Sequence, residues 1–289
     1  MKKIIATLII TYNSDIRKLQ QIVSKLSFDS DVFIVDNSDN APFRSSIAKL
    51  NTHSKLFNKS NLGIAAAQNI GLNEILKKSY QFVLLMDDDS LPPDNFINDL
   101  LFSYQELNNK YKNIAALCAK PIYCNALNNQ IIDMSNAKNL NLKKYFPCDL
   151  LNSSGSLIPV SNFYKVGLFD ESLFIDLVDF EWGYRAKYFG LDIYICRDVS
   201  FEHTLGIYSK KFGPFRISCG APIRSYYQFR NYFLIIKNSY IPLTYKFKMF
   251  FKLPVKLVCN LILFDNRLVR LKLSLIGCLH GFCGRGGKY

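Results

Sequence analysis

The sequence lacks the marks of several common protein classes. Its eight cysteines, at 118, 124, 148, 196, 219, 259, 278 and 283, never fall in a CxxC pair, and three of them lie in the last 31 residues. That spacing offers neither a zinc ribbon nor a redox pair and leaves buried free thiols in a reducing compartment as the expectation. No charge-free apolar stretch approaches the roughly 18 residues a membrane-spanning helix needs. The best segment, Leu253 to Phe264, carries Lys256 and Asn260. The apolar run Ile4 to Ile10 is broken by Thr11-Tyr12-Asn13 with no small-residue cleavage site after it, so it reads as a buried first strand rather than a signal peptide. No G-x-G-x-x-G follows that strand, which weakens a dinucleotide dehydrogenase, and the absence of G-x-x-x-x-G-K-[ST] removes a P-loop kinase. Acid is scarce in one region only. Residues 1–204 hold 21 Lys and Arg against 22 Asp and Glu, while 205–289 hold 15 against the single Asp265, so the net charge of +13 is −1 plus +14. An anionic partner is therefore expected at the C-terminal region.

What is present suits a full globular core: 289 residues, 49% hydrophobic and 20% charged. Residues 3–10 and 32–36 are β-branched apolar runs, and between them Ile16, Leu19, Ile22, Val23 and Leu26 fall at helical spacing. A second helix is expected over 61–76 and another buried strand over 81–86, whereas 126–147, rich in Asn and Lys, reads as a loop. Strands alternating with helices imply an α/β fold with a parallel, doubly wound sheet and a ligand crevice at the carboxyl ends of its strands. The polar clusters stand at those ends: Thr11-Tyr12-Asn13, Asp36-Asn37 and Asp87-Asp88-Asp89.

Three consecutive aspartates repel one another unless solvated or neutralised, and in an extended segment the first and third point to the same side. Asp87 and Asp89 would then carry Mg²⁺ or Mn²⁺, and the metal a diphosphate. The competing reading is a capped turn ahead of the helix that Pro92-Pro93-Asp94 begins. A second acidic constellation runs from Asp170 to Glu181, in which Asp179 and Trp182 share a helical face. A carboxylate beside an aromatic wall tends toward a raised pKa and use as a general base, though acids also suit an ordinary helix N-terminus. Of three histidines only His203, in Phe201-Glu202-His203-Thr204-Leu205-Gly206, lies in a plausible site.

In these motifs the chain resembles the family 2 inverting glycosyltransferases, and within them the bacterial rhamnosyltransferases of O-antigen and related polysaccharides, with galactofuranosyltransferases as close relatives. The resemblance runs from Ile5 to about Gly206, with a weaker echo to Asn238. It rests on Thr11-Tyr12-Asn13, Val35-Asp36-Asn37, Asn61-Leu62-Gly63 with Asn69 and Gly71, Asp87-Asp88-Asp89-Ser90, and Ser153-Ser154-Gly155. Phe169-Asp170-Glu171, Phe174-Ile175-Asp176, Asp179-Phe180-Glu181-Trp182, His203-Thr204-Leu205-Gly206, Tyr226-Tyr227 and Arg230-Asn231 complete the series. The resemblance implies a GT-A type fold, a Rossmann-like and mostly parallel sheet flanked by helices. It implies that Thr11, Asn13, Asp36 and Asn69, with Asp87 and Asp88, line the nucleotide-sugar site. Asp87, Asp89 and His203 would hold Mg²⁺ or Mn²⁺, Asp179 would be the base, and Ser154, Gly155 and Trp182 would meet the acceptor. The motif often has a neutral residue between the metal aspartates, so the acid at Asp88 leaves open which aspartate touches metal. The implied donor is dTDP-L-rhamnose, with UDP-galactofuranose as alternative, and the implied acceptor is a lipid-linked saccharide.

The division expected is a catalytic domain over 1–206 and a basic, amphipathic helical region over 207–289. Lys or Arg interleaved there with aromatic and aliphatic residues suits an anionic membrane surface on the cytoplasmic side. An oligomer interface is the other use for such faces. Nucleic-acid binding is disfavoured, because no RNP, KH or helix-turn-helix signature is present and residues 1–204 are near neutral. A nucleotidyltransferase would want a basic, glycine-rich loop near the N-terminus, and a glycosidase an acid for its leaving group that a metal-diphosphate site makes unnecessary.

Overall fold

The computed structural model describes residues 3–125, 131–132, 144–205, 209–212, 215–218 and 220–289. Most of the segment expected as a loop over 126–147, and part of the basic stretch after residue 205, therefore lie outside the described residues. The chain begins with β1 (Ile5–Thr11), α1 (Ile16–Leu26), β2 (Asp31–Asp36), α2 (Ala41–Ala48), β3 (Ser54–Phe57), α3 (Ile64–Leu76) and β4 (Phe82–Asp87). The expected strands and helices of this half stand within a few residues of these bounds. After the two-residue β5 (Ser90–Leu91) come α4 (Phe96–Lys110), β6 (Ile114–Asn125), β7 (Ile131–Ile132), β8 (Tyr145–Cys148), β9 (Ser156–Pro159) and α5 (Val160–Val166). A 3₁₀ turn at Glu171–Leu173 leads to α6 (Val178–Tyr188) and β10 (Asp192–Leu205). The hairpin β11 (Ser209–Phe212) and β12 (Phe215–Ser218) precedes α7 (Pro222–Ile235), α8 (Leu243–Leu263) and α9 (Arg267–Phe282).

The central sheet has the order β3-β2-β1-β4-β9-β6-β10-β5, with β7 on β6 and β8 on β10. Its first four strands are mutually parallel, as are β6 and β10. β9 runs antiparallel between β4 and β6, so the sheet is mixed. Alternation in β1 sends Ile5 and Ile9 into a core with Leu19, Ile22, Ile47 and Leu100, on the side of α1, α2 and α4. It sends Ala6 and Leu8 into the opposite core with Ala65, Leu72, Phe163 and Trp182. Both faces are thus covered, which is why the strands read as continuous apolar runs.

Helices α7 and α8 and the turn between them share that second core: Ile235, Ile241 and Tyr245 belong to it. Tyr240 donates to Glu181 at 2.6 Å, and the Arg185 guanidinium meets the same carboxylate at 2.8 and 2.9 Å, so the buried charge of Glu181 is compensated. Helix α9 lies against α7 at Gly277 and Gly281, where a Cβ at Gly277 would stand 2.5 Å from the Tyr226 carbonyl. Beyond α9, residues 284–289 turn back toward the 3₁₀ turn. Gly287 N–H donates to Ser172 O at 2.7 Å, and Tyr289 N–H donates to the Tyr227 hydroxyl at 3.1 Å.

Candidate active site

A crevice of about 640 Å³ opens at the carboxyl ends of β1 and β4, lined on one side by Thr11, Tyr12, Asn37 and Gly63 and on the other by residues 174–180. Asp87, Asp88, Asp89 and His203 form its floor, with Ser153 and Arg224 also on its wall. Asp36 lies just below it, fully buried. Its Oδ1 accepts from Thr11 at 2.9 Å and from the Ser38 hydroxyl at 2.6 Å, and Arg44 stands 3.4 Å from Oδ2. Asp36 thereby fixes the wall, while the next residue, Asn37, faces the space. The Asn37 carboxamide donates to Gly63 O at 3.0 Å and accepts from Asn58 at 2.7 Å. Asn13 stands exposed at the rim with φ +52°, its N–H donating to Ser38 Oγ.

The aspartate run divides as strand geometry requires. Asp88 is drawn toward the β1 loop, where its Oδ2 accepts from the Ser14 hydroxyl and from Tyr12 N–H at 3.4 Å. Asp87, Asp89 and His203 instead each present one ligand atom, all within 4.8 Å of one another. Two elements position the histidine, since β10 pairs antiparallel with β5 and sets His203 opposite Ser90. The Ser90 hydroxyl lies 2.8 Å from its Nδ1, and Asp89 Oδ1 lies 3.5 Å from the same nitrogen. Asp89 Oδ1 is buried with no hydrogen-bond partner. Burial and the neighbouring Asp89, Asp179 and Asp88 push the Asp87 carboxyl well above its usual range. An orphaned carboxylate oxygen, crowded like charges and one imidazole are a donor set that fits Mg²⁺ or Mn²⁺.

Asp179 comes from the first turn of α6 on the opposite wall. Burial raises its carboxyl to about 7, with the charge of Asp176 adding to the shift. The segment leading to it is unusual: Phe174, Asp176 and Leu177 have φ of +61°, +66° and +63°, a region that costs non-glycine residues about 1 kcal/mol or more each. Helix α7 holds it there. Asn231 Nδ2 donates to the carbonyls of Leu173, Ile175 and Asp176 at 2.8–2.9 Å, and buried Arg230 donates to Ser172 O and Leu173 O at 2.9 and 2.8 Å. Tyr227 stacks on Phe174 at 4.9 Å, and Arg224 pairs with the Asp176 carboxylate at 2.5 and 3.1 Å. Gly63 closes the other side. Its φ is +87°, and any Cβ would stand 2.5 Å from Phe174 O.

Besides Asp36, four expected site residues are spent elsewhere. Asn69 accepts from Phe169 N–H at 3.0 Å and donates to Phe169 O and Glu171, tying α3 to the 3₁₀ turn away from the crevice. Trp182 is fully buried between Phe163 and Phe169, and its indole N–H donates to Gly167 O at 2.9 Å, so it does not reach an acceptor. Gly155 is packed under the Phe201 ring and hydrogen-bonded within the sheet, to Leu85 O and from Ala119 N–H. Buried Ser154 accepts from Asp87 N–H at 3.0 Å, positioning the aspartate from behind, and it is Ser153 that lines the crevice. Asn37, Ser153, Asp176 and Arg224 were not singled out as site residues from sequence. For Asn37 and Ser153 the available signal was their place one residue along from Asp36 and Ser154.

The sequence model of "Glycosyl transferase family 2" matches residues 7–144, which contain both strand ends and the aspartate run. The chain carries a glycosyltransferase family 2 domain. Among curated proteins it is 28% identical to the "dTDP-rhamnosyl transferase RfbF" of Shigella flexneri, over 100% of this chain and 99% of that one. It is 23% identical to the "Low-salt glycan biosynthesis hexosyltransferase Agl10" of Haloferax volcanii, over 98% and 92%. Among solved structures, S. aureus TarS 1–349 with UDP-GlcNAc aligns at TM-score 0.59 and 15% identity, over 97% of this chain and 82% of that one. GalNAc-T7, solved with UDP, GalNAc and Mn²⁺, aligns at TM-score 0.56 and 14% identity over 84% of this chain, which spans 53% of that protein. The fold is GT-A.

Proposed function

We propose that this chain transfers L-rhamnose from dTDP-L-rhamnose to a lipid-linked saccharide in surface polysaccharide (O-antigen) assembly, at the inner face of a bacterial cytoplasmic membrane, by a metal-dependent, inverting displacement. The observation that carries the reading is the placement of Asp179 across one crevice from the Asp87, Asp89 and His203 cluster. The rhamnosyl donor is supported by end-to-end similarity to a dTDP-rhamnosyl transferase.

In this reading Thr11, Tyr12 and Asn37 border the nucleotide, and Asp88 keeps the β1 loop in place from below. Asp87, Asp89 and His203 hold the cation, which when bound supplies stabilisation of the charge growing on the departing diphosphate. Asp179 accepts the proton of the acceptor hydroxyl as that oxygen attacks the anomeric carbon from the face opposite the leaving group. Its raised pKa gives it a basicity matched to neutral pH. One displacement inverts the configuration.

The test is to incubate purified protein with a panel of sugar nucleotides and measure nucleoside diphosphate release. Release of dTDP from dTDP-L-rhamnose, abolished by EDTA and restored by Mn²⁺ or Mg²⁺, is the expected result. Turnover of UDP-galactofuranose alone would reassign the donor, and full activity in chelator would remove the metal.

A further inference from the structure

Helix α8 is amphipathic in the wrong sense for a helix that only completes a fold. Its buried side chains are Tyr245, Leu253 and Asn260. Phe247, Phe250, Phe251, Val255, Val258 and Ile262 are all more than half exposed. At 3.6 residues per turn, these six side chains fall in an arc of about 140° directed away from the three buried ones. A groove of about 340 Å³ runs along this face, lined wholly by Pro254, Val255, Val258, Cys259, Ile262 and Leu263. Helix α9 repeats the pattern, with Leu268, Leu275, Leu279 and Phe282 exposed while Leu273, Gly277 and Gly281 pack inward. So much contiguous apolar side chain in water marks a surface with an occupant.

The charge beside it says which occupant. Lys248 and Lys252 stand one turn apart along one border of the α8 face, and Asp265 is the single acid among residues 205–289. Two copies of this chain meeting here would bring together two regions of charge +14 and repel. An anionic bilayer satisfies both features, taking the aromatic and aliphatic side chains below the headgroups and the lysines among them. Among the described residues no helix is long and apolar enough to cross a membrane, which suits a helix lying in the plane of the surface.

We infer that the outer faces of α8 and α9 form a docking face that inserts into an anionic lipid surface, with hydrophobic burial and lysine attraction acting together. This deepens the membrane placement proposed above and rests on it. Because the binding is read without donor or acceptor, its failure is distinguishable from failure of the transferase reading.

The test uses the full chain and sedimentation with vesicles of phosphatidylglycerol and phosphatidylcholine, or of phosphatidylcholine alone, across salt. The intact protein binds the anionic vesicles preferentially and keeps a salt-resistant fraction of that binding. Phe250→Glu/Phe251→Glu weakens partition at least ~10-fold, with circular dichroism and nucleoside diphosphate release unchanged, since both positions are exposed and distant in sequence from the crevice residues. Lys248→Glu/Lys252→Glu removes the salt-sensitive part only. Partition of the phenylalanine variant equal to that of the parent overturns the inference. So does a parent that ignores vesicles and sediments as a dimer that the variant dissociates, which would assign the face to a second copy.

Discussion

At the scale of single residues, the most informative group is Asp179. Asp179→Asn keeps the shape of the wall and removes only the proton acceptor, so turnover is expected to fall by ~10²-fold or more while donor and metal binding stay near normal. Near-normal turnover in that variant would discard the assignment. The sign of its pH dependence follows from its raised pKa. A base works only when ionised, and a carboxyl raised to about 7 is protonated below that value, so turnover should rise with pH and level off above it. A bound divalent cation nearby favours the ionised form and draws the midpoint down. A pH–rate profile of kcat with a rising limb that vanishes in Asp179→Asn is the expected record. Asp89→Ala removes the orphaned oxygen of the cluster and should mimic chelation: calorimetric Mn²⁺ binding is lost with the fold intact, whereas an unaltered metal titration would leave Asp89 outside the site.

At the scale of elements, α7 is the splint of the active site. Its Asn231 satisfies three carbonyls of a segment with three left-handed, non-glycine residues. Asn231→Leu orphans those carbonyls, and roughly 2 kcal/mol of stability is expected to go with them. The segment that delivers Asp179 would loosen as well, so kcat should drop while the Mn²⁺ titration and the donor dissociation constant hold. A fall in melting temperature with kcat unchanged would reduce Asn231 to a structural part. Arg224 acts on the same segment from the crevice side through Asp176, and it stands just ahead of the Tyr226-Tyr227 and Arg230-Asn231 motifs of the same helix.

At the scale of the molecule, the region after residue 239 is integral to the fold. Truncation after Ser239 removes Tyr240 from Glu181, Ile241 and Tyr245 from the second core, and Gly277 and Gly281 from their packing on α7. The truncated protein is expected to lose far-UV ellipticity and cooperative melting; a well-folded, soluble truncate would show that α8 and α9 are appendages. This also marks how much of the molecule could be read in advance. β1, β2 and β4 were legible because buried parallel strands are uninterrupted apolar runs, and Asp87 and Asp89 because alternation sends every second side chain the same way. β9 was not, since four residues of Ser-Leu-Ile-Pro carry too little pattern to reveal their direction. His203 reaches Asp89 only through the β5–β10 pairing, 113 residues away from Ser90, and entered through resemblance. Asn69 and Trp182 misled for a shared reason. A polar atom bound to backbone and one bound to ligand look alike in sequence, and only the partner distinguishes them.

Residues 284–289 fold back onto the turn that precedes Asp179: Gly287 donates to Ser172 O, the Arg230 guanidinium reaches Gly287 O, and Gly286 sits so close to Ser172 that a Cβ would stand 2.7 Å from its side chain. The Ser172 carbonyl, just ahead of the base-bearing segment, is therefore shared between Gly287, in the stretch that follows α9, and Arg230 of α7. Such contacts give the two ends of the fold a route by which to couple, and any coupling through them is reciprocal. Whatever binds α8 and α9 more tightly when the turn is held also holds the turn when it binds, by the same factor. If the crevice and the outer faces of α8 and α9 each bind their ligand more tightly when the turn is held, linkage requires each ligand to lower the dissociation constant of the other by the same factor.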